Sequence, residues 1–377
     1  MLMRTLAAYV LSAPMALAGP IDRAAIEKTL EKMEAAAMAG DRDAWLATIA
    51  AGDPEWTKEQ TYFANDLKKK KAEKLDLTLG EVRDVNGDAV GELTFAWNIE
   101  GEPSRRVSFE ARFVPADGQW LYAGETWAKR EAPGVIVLHD PGLDDMAAKV
   151  VEAFSNIRPN VDAFFEHDGT PFTQRVQKIK VYGSMKHLQQ SICLSYKDGL
   201  SGWNEPDESI KLLASQRSTV RGLETLLAHE YGHVATFASG PLANDTMPWW
   251  VLEGAAELSA AACAGGSQPD RRVARWAKEG NLAPWPALAD FDTIEQKWYG
   301  HVYTQGHSML KYIEGRWEKP GRNAWLRAMG AGKPLDRATR EVMGMSFDDL
   351  HAAWRATLPA EEKEDKKAEE PKVESPT

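Results

Sequence analysis

His229, Glu230 and His233 fall within the stretch RSTVRGLETLLAHEYGHVATFAS as the string His-Glu-Tyr-Gly-His. Residues four apart on a helix stand one turn above each other, so both imidazoles can reach one ion while Glu230 projects beside them. Two neutral imidazoles that hold a dication, next to a carboxylate that takes a proton from water, are the parts of a metal-assisted hydrolysis. Val220, Leu223, Leu227, Tyr231, Val234 and Ala238 gather on another side of the same helix. One face therefore packs, and the His229/Glu230/His233 arc is left to line a cleft. Such a string arises by chance in about one chain in a hundred of this composition, so its weight comes from the residues downstream of it.

After the turn-rich loop SGPLANDTMP, the segment WWVLEGAAE opens an Ala-rich helix. Nineteen residues separate Glu253 from His233, enough for an antiparallel second helix to return a carboxylate to the ion. His229, His233 and Glu253 then supply three protein ligands with one position open, the count of a catalytic rather than a structural zinc site. Glu257, one turn beyond Glu253, is spaced to accept the free N–H of a ligating imidazole. Cys193 and Cys263 are the only cysteines, so a Cys-rich zinc site is excluded and one catalytic Zn2+ is expected on His and carboxylate. In an oxidising compartment that pair permits one disulfide, the alternative being two buried thiols. His139, His167, His187 and His351 read as structural or surface residues, and Trp249 and Trp250 as wedge and wall.

The elements that must hold these groups are set by periodicity. Residues 21–39 carry a helical pattern through Ile26, Leu30 and Met33 that Gly40 ends, and Asp41 caps a second short helix with Trp45. From Leu75 the pattern alternates in four runs, LDLTLGEV, AVGELTFAWNI, RRVSFEARFV and QWLYAGETW, separated by VNGD, EGEPS and PADGQ. Two helices and an antiparallel meander make an α+β accessory domain over residues 19–128, with residues 129–134 as a linker. Beyond it GVIVLH reads as a strand, LDDMAAKVVEAFSNI as a helix, VQKIKVYGS as a strand and GWNEPDESIKLLA as extended, giving a mixed sheet. From residue 218 onward the pattern is helical, closing with Ser346 and Asp349 as a capping pair.

Residues 1–18 have one Arg, a short apolar run and Ala16-Leu17-Ala18 as a cleavage signal, so they read as a signal peptide and the chain as exported, periplasmic or extracellular. No segment is apolar over the length a membrane span needs. The net charge of −11 disfavours nucleic acid and anionic membrane as partners. Residues 358–377 are charged and nearly free of apolar side chains, as in a disordered tail.

HEYGH together with the later PWWVLEGAAE resembles the gluzincin zinc metallopeptidases, the clan of thermolysin and the zinc aminopeptidases, over roughly residues 135–357. The resemblance implies a zincin-like domain that hydrolyses peptide bonds in a peptide or protein substrate, with the third ligand at Glu253 and the general base at Glu230. It also implies an oxyanion donor downstream, within WYGHVYTQGHSMLKYIEGRW, where Tyr303 is the favoured residue and His301 and His307 are alternatives. The substrate-amine motif of the clan's aminopeptidases is not reproduced: the corresponding string Gly183-Ser184-Met185-Lys186-His187 has no carboxylate. The helix-then-meander order of the first domain resembles the nuclear-transport-factor-2-like fold, whose members often form an apolar pocket; with no catalytic Asp/His pair in this stretch, a scaffold or protein-partner role is expected there over ligand chemistry. A reading from another class is an exported binding protein whose metal domain is catalytically silent.

Overall fold

The computed structural model describes residues 21–99, 101–167, 169–194, 199–214, 217–266 and 269–361. The expected signal peptide, and all but the first few residues of the expected tail, lie outside them. The described residues are mixed α and β and divide into two compact units, those of 21–127 with 184–194, and those of 128–183 with 199–361.

In the first unit α1 (Arg23–Ala39) starts where the Asp22 carboxylate accepts the Ala25 N–H and stops where Gly40 turns left-handed at φ 65°. Two more helices come next, α2 (Arg42–Leu46), capped by Asp41, and α3 (Pro54–Lys69), capped by Asp53. Strands β1 (Lys74–Val85), β2 (Asp88–Asn98), β3 (Arg105–Ala116) and β4 (Gln119–Glu125) form an antiparallel meander in that order. Two of its hairpins close on Asn86-Gly87 and Asp117-Gly118, all four residues at positive φ, which is the backbone a two-residue primed turn requires. Their inward side chains pack with Ile26, Leu30, Trp45 and Phe63 into one core.

The second unit begins with β5 (Ala128–Ala132), which pairs with β6 (Val135–His139) through a Pro133-Gly134 turn. The segment expected as a linker is therefore mostly strand. Its Lys129, Arg130 and Glu131 are exposed, so no apolar alternation marks it. Helix α4 (Asp144–Phe164) precedes β7 (Gln177–Tyr182), which lies parallel to β6. The chain then returns to the first unit for α5 (Met185–Ser191). Back in the second unit, β8 (Gly202–Trp203) and β9 (Ile210–Leu213) complete a mixed sheet of order β5-β6-β7-β9-β8, with the two-residue β8 at its edge.

Helices then take over: α6 (Val220–Phe237), α7 (Ala243–Thr246), α8 (Trp249–Ala264), α9 (Asp270–Lys278), α10 (Tyr299–Gly330), α11 (Leu335–Met343) and α12 (Phe347–Arg355). Helix α10 is broken at Glu318 (φ 58°), two residues before Pro320, which lacks the N–H a continuous helix needs. Ser346 caps α12, its hydroxyl accepting the Asp349 N–H as the pairing of those residues predicts. Helix α8 is apolar nearly all round and buried over most of its length, so it is the unit's central helix. Among the described residues no helix is long and apolar enough to cross a membrane.

Candidate metal centre

Helix α6 begins at Thr219, whose hydroxyl accepts the Gly222 N–H at 3.1 Å. Leu223, Leu227, Tyr231 and Val234 are buried, which turns His229 and His233 to another side. Tyr231 fixes that rotation. Its hydroxyl donates to Asp162 of α4 at 2.9 Å, and Arg158 lies 3.6 Å from the same carboxylate. Burial pushes the Tyr231 phenol well up, with the Asp162 charge adding to it, so the hydroxyl stays a donor. Ser259 of α8 donates to the Ala228 carbonyl of α6 at 3.1 Å, and a Cβ on Gly232 would stand 3.2 Å from the Ala256 Cα. Residue 228 thus meets 259 while 232 meets 256, so the two helices run antiparallel, as the spacing of Glu253 from His233 predicts.

This packing gathers the three expected ligands. His229 Nε2 and His233 Nε2 are 3.2 Å apart, and Glu253 Oε2 lies 3.3 Å from each. Among the described residues this is the one cluster of three or more His, Cys, Asp or Glu whose ligand atoms converge. An ion bonded at about 2.0 Å in tetrahedral geometry holds its ligand atoms about 3.3 Å apart, so the triangle has the edge length of one face of a zinc polyhedron. Glu253 Oε2 is also buried, and a buried carboxylate oxygen facing two imidazole nitrogens calls for a positive charge beside it, from a protonated ring or from a bound ion. Two nitrogens and one oxygen are a zinc donor set rather than one for magnesium or calcium. The residues present fit the metal.

Glu257 takes the position expected of it: its Oε1 is 3.2 Å from His229 Nδ1. A proton on Nδ1 shared with that carboxylate leaves Nε2 to face the cluster. Burial alone lowers the His229 pKa, but Glu253 and Glu257 outweigh it and hold the ring well above the ordinary imidazole value. Glu253 is pulled the other way, far below the usual carboxylate range, because the neighbouring imidazoles overcome its burial. Glu230 is 6% exposed; burial raises its pKa, against the opposing pull of His229 and His233.

Among the candidate oxyanion donors, the structure brings the Tyr303 ring to the cluster. The Tyr303 ring lies 6.3 Å from that of His229 and 6.0 Å from that of Trp249. Burial raises its pKa strongly, and the charges of Glu253, Glu230 and Glu257 raise it further, so it remains a neutral donor. His301 sits two residues earlier, on the other side of α10, with its ring 3.8 Å from that of Trp276 and Nε2 3.0 Å from the Asn281 carbonyl. His307, one turn after Tyr303 on the same helix, is wholly buried and close enough to Glu257 to feel its charge. Cys193 and Cys263 are not bonded to each other: each packs against the core of its own unit. His139, with Nδ1 3.0 Å from the Asp140 carbonyl, and His167, with Nε2 2.8 Å from the Ala235 carbonyl, are structural, as expected.

Two features of the site were not foreseen. A Cβ on Gly202 of β8 would meet Glu230 Oε1 at 2.2 Å, so the edge strand lies directly on the glutamate. Trp249 donates its indole N–H to Glu253 Oε1 at 2.9 Å. A lone glycine in an extended stretch signals a close approach of some kind, but nothing in the sequence says to what.

No family model matches the chain, and no curated protein does. Among solved structures the chain is similar to a variant of Rv3472, a function unknown protein from Mycobacterium tuberculosis, at 15% identity over 26% of this chain and 70% of that one, with a TM-score of 0.20. It is similar also to TsrD from Streptomyces laurentii, at 21% identity over 27% of this chain and 86% of that one, again with a TM-score of 0.20.

Proposed function

We propose that the protein is an exported zinc-dependent metallopeptidase, with a gluzincin-like second unit as its catalytic domain and a nuclear-transport-factor-2-like first unit as an accessory scaffold. The observation that carries this reading is the triangle of His229 Nε2, His233 Nε2 and Glu253 Oε2, with sides of 3.2 to 3.3 Å, beside the buried Glu230. The helix-and-meander order of the first unit supports its likeness to that fold.

His229, His233 and Glu253 would hold the ion, which when bound supplies Lewis acidity toward a carbonyl and makes water acidic near neutral pH. Glu230 takes the proton of the attacking water and passes it to the leaving amine; burial lifts its pKa toward the range where a carboxylate does both. Tyr303 donates to the oxygen that gains negative charge, a task that needs a protonated phenol close to the ligands. Glu257 keeps the His229 ring in one tautomer and orientation.

Peptide cleavage and zinc content, measured together in the wild type and in Glu230→Gln, test this. The variant should keep its zinc and lose turnover by about 100-fold or more. A wild type that holds zinc yet cleaves nothing in a broad peptide library supports the silent binding protein instead.

A further inference from the structure

Resting on the metal reading above, we infer that Trp249 is a positioning residue, whose indole N–H occupies one oxygen of Glu253 so that the carboxylate meets the ion through the other oxygen alone. The donor lies one helical turn before its acceptor on α8 and reaches Glu253 Oε1 at 2.9 Å, while Oε2 faces both imidazoles. Without that donor nothing holds Oε1 away, and the carboxylate is free to turn both oxygens toward the cluster. A carboxylate that binds through two atoms fills the corner that a catalytic site keeps open for water.

The indole is held in place on every side. Trp249 is 8% exposed, its ring centroid 5.0 Å from Phe291, 5.1 Å from Tyr299 and 6.0 Å from Tyr303, each in edge contact. Its backbone N–H, which the helix start at Pro248 leaves without an intrahelical acceptor, donates to the Ala289 carbonyl at 2.8 Å. Anchored at backbone and ring, the N–H points in a fixed direction, and the Glu253 carboxylate has one low-energy rotation about its last bond.

The test replaces the N–H while keeping the ring. Full-length protein carrying 3-benzothienylalanine at position 249, in which sulfur stands in the place of the N–H, is compared with Trp249→Phe and wild type. Zinc affinity is read by competition with a chromophoric chelator, and the visible spectrum is read after loading with cobalt(II). Both variants should bind zinc about 10 to 100-fold more weakly. The cobalt form of the isostere should lose the strong absorption of a four-coordinate ion. An isostere with wild-type zinc affinity and an unchanged cobalt spectrum overturns the role, as does a variant that only melts earlier. A wild type that takes up neither metal defeats the metal reading itself, an outcome distinct from failure of the Trp249 role alone.

Discussion

A methyl group on Gly202 would stand 2.2 Å from Glu230 Oε1 and 2.8 Å from its Cγ, so Gly202→Ala must push the side chain aside. A carboxylate end can swing, and the fold should tolerate the change. The base, however, would be displaced by about an ångström, which is enough to cost roughly 100-fold in rate. Gly202→Ala should therefore keep zinc and melting temperature near wild type while kcat falls by about that factor; an unchanged kcat separates β8 from the chemistry. Tyr303→Phe removes one donor and leaves the ring contacts in place. Loss of an oxyanion donor costs about 100 to 1000-fold in kcat, and full activity in this variant would reduce Tyr303 to a packing residue. The convergence of His229 and His233 was legible from residue types and spacing, because a helix converts a gap of four into one face, and Glu253 was reached through its spacing and the family resemblance. The hydroxyl at position 303 and the indole at 249 were less so: which of several aromatic residues turns toward a site depends on where another helix crosses.

That crossing is set by backbone contact. A Cβ on Gly254 would lie 2.6 Å from the carbonyl carbon of Gly306, and one on Gly306 would lie 2.4 Å from the Trp250 carbonyl oxygen. Helices α8 and α10 thus touch through their backbones, which is what carries Tyr303 to within ring contact of Trp249. Backbone atoms cannot rotate away as a side chain does. Gly254→Ala should destabilise the protein by about 1 to 3 kcal/mol through overpacking, seen as a lower denaturation midpoint. A midpoint at the wild-type value contradicts the contact. The meander and both α6 and α8 were readable from alternation, turn dipeptides and apolar faces. Helix α3 was missed although Asp53-Pro54 carries an N-cap residue and a proline at the first helical position, and Phe63, Ala64 and Leu67 on its buried side are spaced as a helix requires. Strand β5 left no comparable trace, since its exposed charged side chains obey the needs of a sheet edge rather than of a core.

At the scale of the whole molecule, the mixed α and β architecture and the order of meander, mixed sheet and helices were readable from where the period changes along the chain. The excursion of residues 184–194 into the first unit was not. Which core a short helix joins is decided by shape at long range, and there Trp97 donates its indole N–H to the Leu194 carbonyl at 3.2 Å, a link between residues far apart in sequence. The proposed metal site is likewise a property of the assembled second unit, because His229 and His233 come from α6 and Glu253 from α8 and they meet only when both helices are packed. Zinc stoichiometry by mass spectrometry, in wild type, His233→Ala and Glu253→Ala reloaded with equimolar zinc after chelation, tests the central claim most directly. One zinc per chain in the wild type and loss of it in both variants is the expected result; a wild type without zinc, or a Glu253→Ala protein that retains it, would contradict the account.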